Sequence, residues 1–191
     1  MKRPRAPINI PNMLTILRIL ITPLFVICLM KGMSFSALLL FTIAGISDGL
    51  DGLIARYFNQ TSVLGAYLDP IADKLLLTSS YATLAIIKII PGWVAVLVIS
   101  RDILIFLGIA IITIIKADIE IRPRIISKCT TVVQLLTIFV ILLNFKNAYN
   151  YYIINILYYT TVAFTIISGL HYVYIGLNIL QEVSANNGTN S

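Results

Sequence analysis

Four of the eight acidic residues of the chain, Asp48, Asp51, Asp69 and Asp73, fall in one short stretch, DGLDGLIARYFNQTSVLGAYLDPIAD. Apolar runs flank it, TIAGIS before and LLLTSSYATLAII after, and both read as membrane-spanning helix. A carboxylate at membrane depth costs at least ~2.5–3.5 kcal/mol on insertion scales, so it marks a function and needs a partner. Close by in the chain stand only Arg56 and Lys74. Four carboxylates so poorly compensated repel one another unless something strongly cationic sits between them. Bound divalent metal is the simplest answer, and hard oxygen ligands favour Mg2+, Mn2+ or Ca2+ over softer ions.

The spacing says which elements must hold the carboxylates. Asp48 and Asp51 are three residues apart and Asp69 and Asp73 four, so each pair shares one face of a helix. The polar segment from Tyr57 to Gly65 suits a turn between antiparallel neighbours, which points both pairs at a common volume. Gly52, Ala55 and Gly65 are small and let a backbone or ligand come close. Arg56 offers a fork suited to phosphate. Metal, arginine and small residues together suggest a phosphate-bearing substrate.

The pattern D-x-x-D-G-x-x-A-R-x8-G-x3-D-x3-D is matched at every fixed position, by Asp48, Asp51, Gly52, Ala55, Arg56, Gly65, Asp69 and Asp73. It resembles the signature of the CDP-alcohol phosphotransferases, integral membrane enzymes of phospholipid synthesis. Near the amino terminus, PN-x-x-T-x-x-R places Asn12, Thr15 and Arg18 on one helix face. That element is similar to the opening of phosphatidylglycerophosphate synthases and their relatives. The resemblance implies metal-dependent transfer of a phosphatidyl group from CDP-diacylglycerol to an alcohol, with release of CMP. It implies two Mg2+ or Mn2+ ions held by Asp48, Asp51, Asp69 and Asp73, with Asp73 also the general base for the acceptor hydroxyl. Asn12, Thr15, Arg18, Gly52, Ala55, Arg56 and Gly65 would then line the CDP-lipid site.

The acceptor is set elsewhere. SRD (Ser100 to Asp102) and S-K-x-x-T-x-x-Q (Ser127, Lys128, Thr131, Gln134) are similar to elements of phosphatidylglycerophosphate and cardiolipin synthases. On that likeness Arg101, Arg122, Arg124 and Lys128 are candidates to bind the acceptor. Structural roles compete with this: an Arg101–Asp102 ion pair, and a basic cytoplasmic anchor for the others. PN-x-x-T-x-x-R and LDPIADK resemble the glycerol-phosphate branch of the family, in which enzymes using glycerol 3-phosphate are the commoner members at this length in bacteria. SRD, ISKCTTVVQL and the Ser-Gly-x-His-Tyr around His171 lie nearer the cardiolipin synthases, which use phosphatidylglycerol. The first is preferred narrowly. A cation transporter with an acidic site is the alternative of another class, and it requires gating breaks or polar residues on several helices. His171, the single histidine, is read as a packed, hydrogen-bonded residue rather than a ligand.

With 59% hydrophobic and 12% charged residues among 191, the chain reads as one all-α membrane domain. A spanning helix takes ~20 mostly apolar residues, and six candidates appear at about 12–30, 34–56, 67–88, 91–116, 127–146 and 151–180. The expected architecture is a polytopic six-helix bundle over 1–183. It opens with an interfacial amphipathic segment, 1–11, and ends in a disordered polar tail, 184–191. Helix three is expected to start near Ala66, with Pro70 in its first turns. Asn12 could simply cap helix one and Thr15 bond back to its own helix. Arg18, two turns in, requires a carboxylate or phosphate.

The net charge of +6 is scattered over loops rather than massed on a soluble face, which argues against nucleic acid. Lys2, Arg3, Arg5, Arg56, Lys116, Arg122, Arg124 and Lys128 fall on one set of connections and Lys31, Lys88 and Lys146 on the other. The positive-inside rule then puts both termini and the acidic turn in the cytoplasm, and the resemblance suggests a bacterial inner membrane. Counting places Arg101 nearer the outer side. Cys28 and Cys129 are expected to lie too far apart for a disulfide. The family suggests a homodimer, with helices three and four as candidates for the interface.

Overall fold

The computed structural model describes residues 10–57, 63–114, 125–143 and 151–188; side chains at 10–11, 51–57, 63–64, 66–67, 109–114, 125, 151–153, 179–180 and 182–188 fall outside that description. The described residues form six helices, α1 (Ile10–Met30), α2 (Ser34–Tyr57), α3 (Val63–Ile86), α4 (Gly92–Ile114), α5 (Ile125–Leu143) and α6 (Tyr151–Gly188). The fold is all-α. Among the described residues three stretches are long and apolar enough to cross a membrane, Asn12–Met30, Ile126–Leu143 and Ile154–Asn178, and Ser34–Leu50 is a shorter apolar run.

Large apolar side chains cover the surface, and many polar ones are buried beside the apolar core. Met13, Leu20 and Leu24 of α1 are exposed while Asn12, Thr15, Arg18 and Thr22 of the same helix are buried. Apolar outer faces with hydroxyls and charge turned inward suit a hydrocarbon solvent, where only polar groups gain by hiding. Lone hydroxyls are satisfied within their own helix: Ser47, Ser80 and Thr83 each donate to the carbonyl four residues back, at 2.7, 2.5 and 2.7 Å, the usual recourse of Ser and Thr in apolar helices.

The helices fall into two compact units, with α1, α2, α3 and the end of α5 from Ile138 in one. Here α1 packs on both α2 and α3. Ala37, Phe41 and Ala44 form a buried stripe on α2 at spacings of four and three, and the two alanines let the helices approach closely. Phe41 meets Phe25 of α1 with ring centroids 5.8 Å apart. On α3, Ala72, Leu76, Leu77, Tyr81 and Leu84 are buried in the same heptad-like rhythm. Both stripes run into the acidic residues, so ordinary packing delivers the carboxylates to one place.

Two helix ends in this unit use the same device. Met33 N–H donates to the Cys28 carbonyl at 2.9 Å and Gly32 N–H to Leu29 at 3.1 Å, with Gly32 at φ +69°. This is the Schellman arrangement, for which glycine is the usual residue. At the end of α3, Ile89 N–H reaches the Leu84 carbonyl at 2.9 Å and Lys88 N–H reaches Ala85 at 3.0 Å, but the left-handed position is taken by Lys88 at φ 60°. The expected helix to Lys88 therefore stops at Ile86. The same helix begins at Val63 rather than near Ala66, so Pro70 lies deeper inside it than expected and removes one interior hydrogen bond.

The second unit holds α4 from Trp93, α5 up to Thr137, and α6. A buried polar seam joins α5 to α6. Gln134 Nε2 donates to Thr165 Oγ1 at 3.2 Å, Thr137 and Thr161 share a 2.7 Å hydrogen bond, and Thr130 reaches the Phe164 carbonyl at 3.3 Å. Thr130 meets residue 164 and Thr137, two turns later, meets Thr161, so the helices run antiparallel. The helix α6 continues to Gly188, into the stretch expected as a disordered tail. Extending an existing helix needs no new nucleus, and glycine is a natural terminator.

Candidate active site

One face of α1 organises the acidic cluster. Thr15 and Arg18 are one turn apart on α1, as Asp69 and Asp73 are on α3, so parallel helices can join them rung by rung. Thr15 Oγ1 donates to Asp69 Oδ1 at 2.5 Å, and Arg18 Nη1 donates to Asp73 Oδ1. The same Nη1 lies 2.9 Å from Asp48 Oδ1 on α2. A single guanidinium nitrogen thus bridges carboxylates from two different helices.

The cation that compensates the cluster is therefore not limited to the sequence neighbours Arg56 and Lys74. Arg18, thirty residues before Asp48 in the sequence, becomes adjacent because α1 lies against α2 and α3. Its side chain is 1% exposed, against 45% and 41% for the side chains of Asp48 and Asp73. A guanidinium so enclosed would be very costly without carboxylate partners. Two carboxylates ~4 Å apart repel by about 4 kcal/mol at an effective dielectric of ~20, so each side of this contact needs the other. The arginine fills the closed side of the cluster and the carboxylates keep an open side.

Asn12 and Thr15 are buried on the same face as Arg18. Asn12 stands inside α1, which starts at Ile10, rather than at its cap. Thr15 faces Asp69 across the helix interface. Gly65 is buried in the first turn of α3. Positions 51–57 are helical, but the side chains of Asp51, Gly52, Ala55 and Arg56 lie outside the described residues.

The donor set fits a hard divalent cation in its chemistry. Asp48, Asp69 and Asp73 supply carboxylate oxygens only, and Asp48 and Asp73 are half-open while converging on a point that already holds positive charge. Such oxygens are what Mg2+ and Mn2+ prefer. Among the described residues no group of three or more acidic, histidine or cysteine side chains stands arranged around a single metal position, and the point between Asp48 and Asp73 is held by Arg18.

Arg101 belongs to the second unit. Its Nη1 donates to Asp102 Oδ1 at 2.8 Å, its Nη2 to Ser127 and Ser168 at 2.8 and 2.7 Å, and its Nε to Ser168 at 3.2 Å. One guanidinium thus ties α4 to α5 and α6, and Arg101 and Asp102 are both buried. Counting alone put Arg101 nearer the outer end of α4. Its bond to Ser127, in the first turn of α5, ties it to the end that the charge pattern assigns to the cytoplasm. Lys128 is exposed on α5, and Arg122 and Arg124 lie outside the described residues. Sequence reasoning did not single out Thr137, Thr161 and Thr165. Polar residues spaced by four and three along otherwise apolar helices were the available signal.

The family model described as CDP-alcohol phosphatidyltransferase matches residues 8–167. A CDP-diacylglycerol–glycerol-3-phosphate 3-phosphatidyltransferase of Wigglesworthia glossinidia brevipalpis is 34% identical over 176 residues, covering 88% of this chain and 94% of that protein. The Bacillus subtilis protein of the same name is 26% identical over 181 residues, covering 86% and 93%. Human cardiolipin synthase (CMP-forming) is 35% identical over 148 residues, covering 69% of this chain. The chain spans about half the length, 49%, of that human protein and of its rat counterpart. By the extent of these matches, the chain belongs to the CDP-alcohol phosphatidyltransferase family.

Proposed function

We propose that this protein is a phosphatidyltransferase of phospholipid synthesis, moving a phosphatidyl group from CDP-diacylglycerol to glycerol 3-phosphate with release of CMP. The observation that carries this reading is the meeting of Asp48, Asp69 and Asp73 with Thr15 and Arg18. Both sequence elements that resemble the family thereby come together in one place. Asp48, Asp51, Asp69 and Asp73 are assigned as the ligands of two Mg2+ or Mn2+ ions, with Asp51 outside the described residues. Divalent cations held there supply charge neutralisation for the diphosphate of the donor.

The chain's own residues do the rest. Asp73, half-open on α3, takes the proton of the acceptor hydroxyl as its oxygen attacks the β-phosphorus. The bond from that phosphorus to the CMP oxygen breaks, and CMP leaves with the electron pair. Proximity matters more than basicity for such a base. Asn12, Thr15, Arg18, Gly52, Ala55, Arg56 and Gly65 are assigned to the CDP-lipid side. Arg101, Arg122, Arg124 and Lys128 are assigned to the acceptor side; for Arg101 this acts through the seryl hydroxyls it orders.

The architecture that goes with this reading is one membrane domain over 1–183 with six spans. The acidic end and both termini face the cytoplasm, in a bacterial inner membrane, and the assembly is a homodimer. Phosphatidylglycerol is the second acceptor to consider, because relatives named cardiolipin synthase match as strongly as those named for glycerol 3-phosphate. Coverage favours glycerol 3-phosphate, since those bacterial relatives match over nearly their whole length.

The test uses purified protein in detergent with Mg2+, labelled CDP-diacylglycerol, and each acceptor offered separately. CMP release with glycerol 3-phosphate alone supports the first reading, and release with phosphatidylglycerol alone replaces it with the second. Undiminished turnover in Asp73→Asn rejects the assigned base.

A further inference from the structure

We propose that Arg18 is a built-in counter-cation of the acidic cluster, holding it assembled before divalent metal arrives and competing with that metal for the same carboxylate oxygens. The inference rests on reading the cluster as metal-binding. Its basis is an asymmetry within one contact. A single nitrogen, Arg18 Nη1, bonds Oδ1 of both Asp48 and Asp73, the oxygens a cation between α2 and α3 would need.

The arginine is enclosed while both carboxylates are nearly half exposed. A metal ion therefore approaches from the open side without displacing α1. The backbone around Arg18 is also pinned, since Thr22 Oγ1 donates to its carbonyl at 2.8 Å and Thr15, one turn earlier, is tied to Asp69. Only the end of the side chain has to change partners.

Two consequences follow from competition for one pair of oxygens. In metal-free protein Arg18 offsets carboxylate repulsion, so the two helix ends stay together. When metal binds, its affinity is lowered by the contacts it must replace. The guanidinium released from Oδ1 presents a fork of N–H donors, a group well suited to phosphate. Arg18 is on this account a positioning residue in the metal-free state and a phosphate partner in the loaded one.

The experiment is a Mn2+ titration followed by electron paramagnetic resonance, on full-length protein in detergent, with thermal unfolding measured in parallel. Arg18→Gln is expected to bind Mn2+ roughly tenfold tighter than the wild type, as one or two partly exposed ion pairs no longer oppose it. Arg18→Lys, which keeps the charge but loses the planar fork, is expected to fall between. Metal-free Arg18→Gln should unfold at a lower temperature than the wild type, and Mn2+ should raise its midpoint by more. Asp48→Asn should weaken Mn2+ binding in both backgrounds, which identifies the site.

A merely structural arginine predicts the opposite sign, because a disordered site binds metal less well. Unchanged or weaker Mn2+ affinity in both Arg18 variants overturns the proposal, as does no Mn2+ binding by any of the proteins. If Arg18→Gln does not survive without metal, Arg18→Lys carries the comparison. Normal CMP release together with unaltered Mn2+ affinity would sink this inference and leave the proposed function standing. Tighter Mn2+ binding without any transfer activity would do the reverse.

Discussion

The Thr15 hydroxyl and the Asp69 carboxylate, 54 residues apart in the chain, meet at 2.5 Å between α1 and α3. The bond turns one carboxylate oxygen of Asp69 toward α1. Because Asp73 is tied one turn further along by Arg18, α1 sets the orientation of both carboxylates of α3. In the proposed enzyme, α1 is the template on which the metal ligands are aligned.

Replacing Thr15 with Val keeps the shape and deletes the donor. A hydrogen bond to a charged group is worth ~1.5–3 kcal/mol, so transfer activity is expected to fall by at least about tenfold. Thr15→Ser should retain most of it. Initial rates of CMP release, compared at equal folded protein, decide the matter, and equal rates in Val and wild-type protein would remove Thr15 from the template.

Chelation should abolish activity and leave the fold. EDTA-treated protein is expected to keep its helical circular dichroism while releasing no CMP, and added Mg2+ or Mn2+ should restore turnover. Asp48→Asn and Asp69→Asn should each require more metal for half-maximal rate. Full activity in chelated protein would contradict the assignment of the carboxylates.

Arg101 and Asp102 form a buried ion pair within the second unit. Removing one partner strands the other charge, so Arg101→Met or Asp102→Asn alone should destabilise by ~3–5 kcal/mol, and the double variant by less than the sum. Thermal unfolding in detergent reads this directly. A raised KM for the acceptor at an unchanged unfolding midpoint would instead make Arg101 a direct acceptor contact.

The two helix ends make predictions of opposite sign. Gly32→Ala places a Cβ in a left-handed backbone with open space around it, so only the conformation is penalised, by ~1 kcal/mol. Lys88→Gly relieves the same penalty at φ 60° and should stabilise by about 0.5–1 kcal/mol. Matched shifts in the unfolding midpoint, downward and upward, are the expected result.

The six helices were readable from apolar run length, because the runs are interrupted by Gly32, by the polar stretch near 58–62 and by Pro91-Gly92. The shared face of Asp69 and Asp73 was readable too, since a spacing of four puts side chains on one helix face whatever the tertiary fold. The family followed from eight fixed positions. What spacing could not supply was the partner across a helix interface. Asn12, Thr15 and Arg18 form a stripe in the sequence, but nothing local says that Thr15 meets Asp69 or that Arg18 lies between Asp48 and Asp73.

Arg101 makes the same point from the other unit, since its serines lie 26 and 67 residues away. Local helix geometry is set by neighbours within a turn. The compensation of a buried charge is set by whichever helix packs against it, and that depends on the burial of the whole bundle. The sequence by itself determined that carboxylates stand on two helix faces and that the chain is apolar enough for a membrane. Only the tertiary structure decided which cation they face, because in an apolar bundle a charge stays buried only where packing brings it an opposite one.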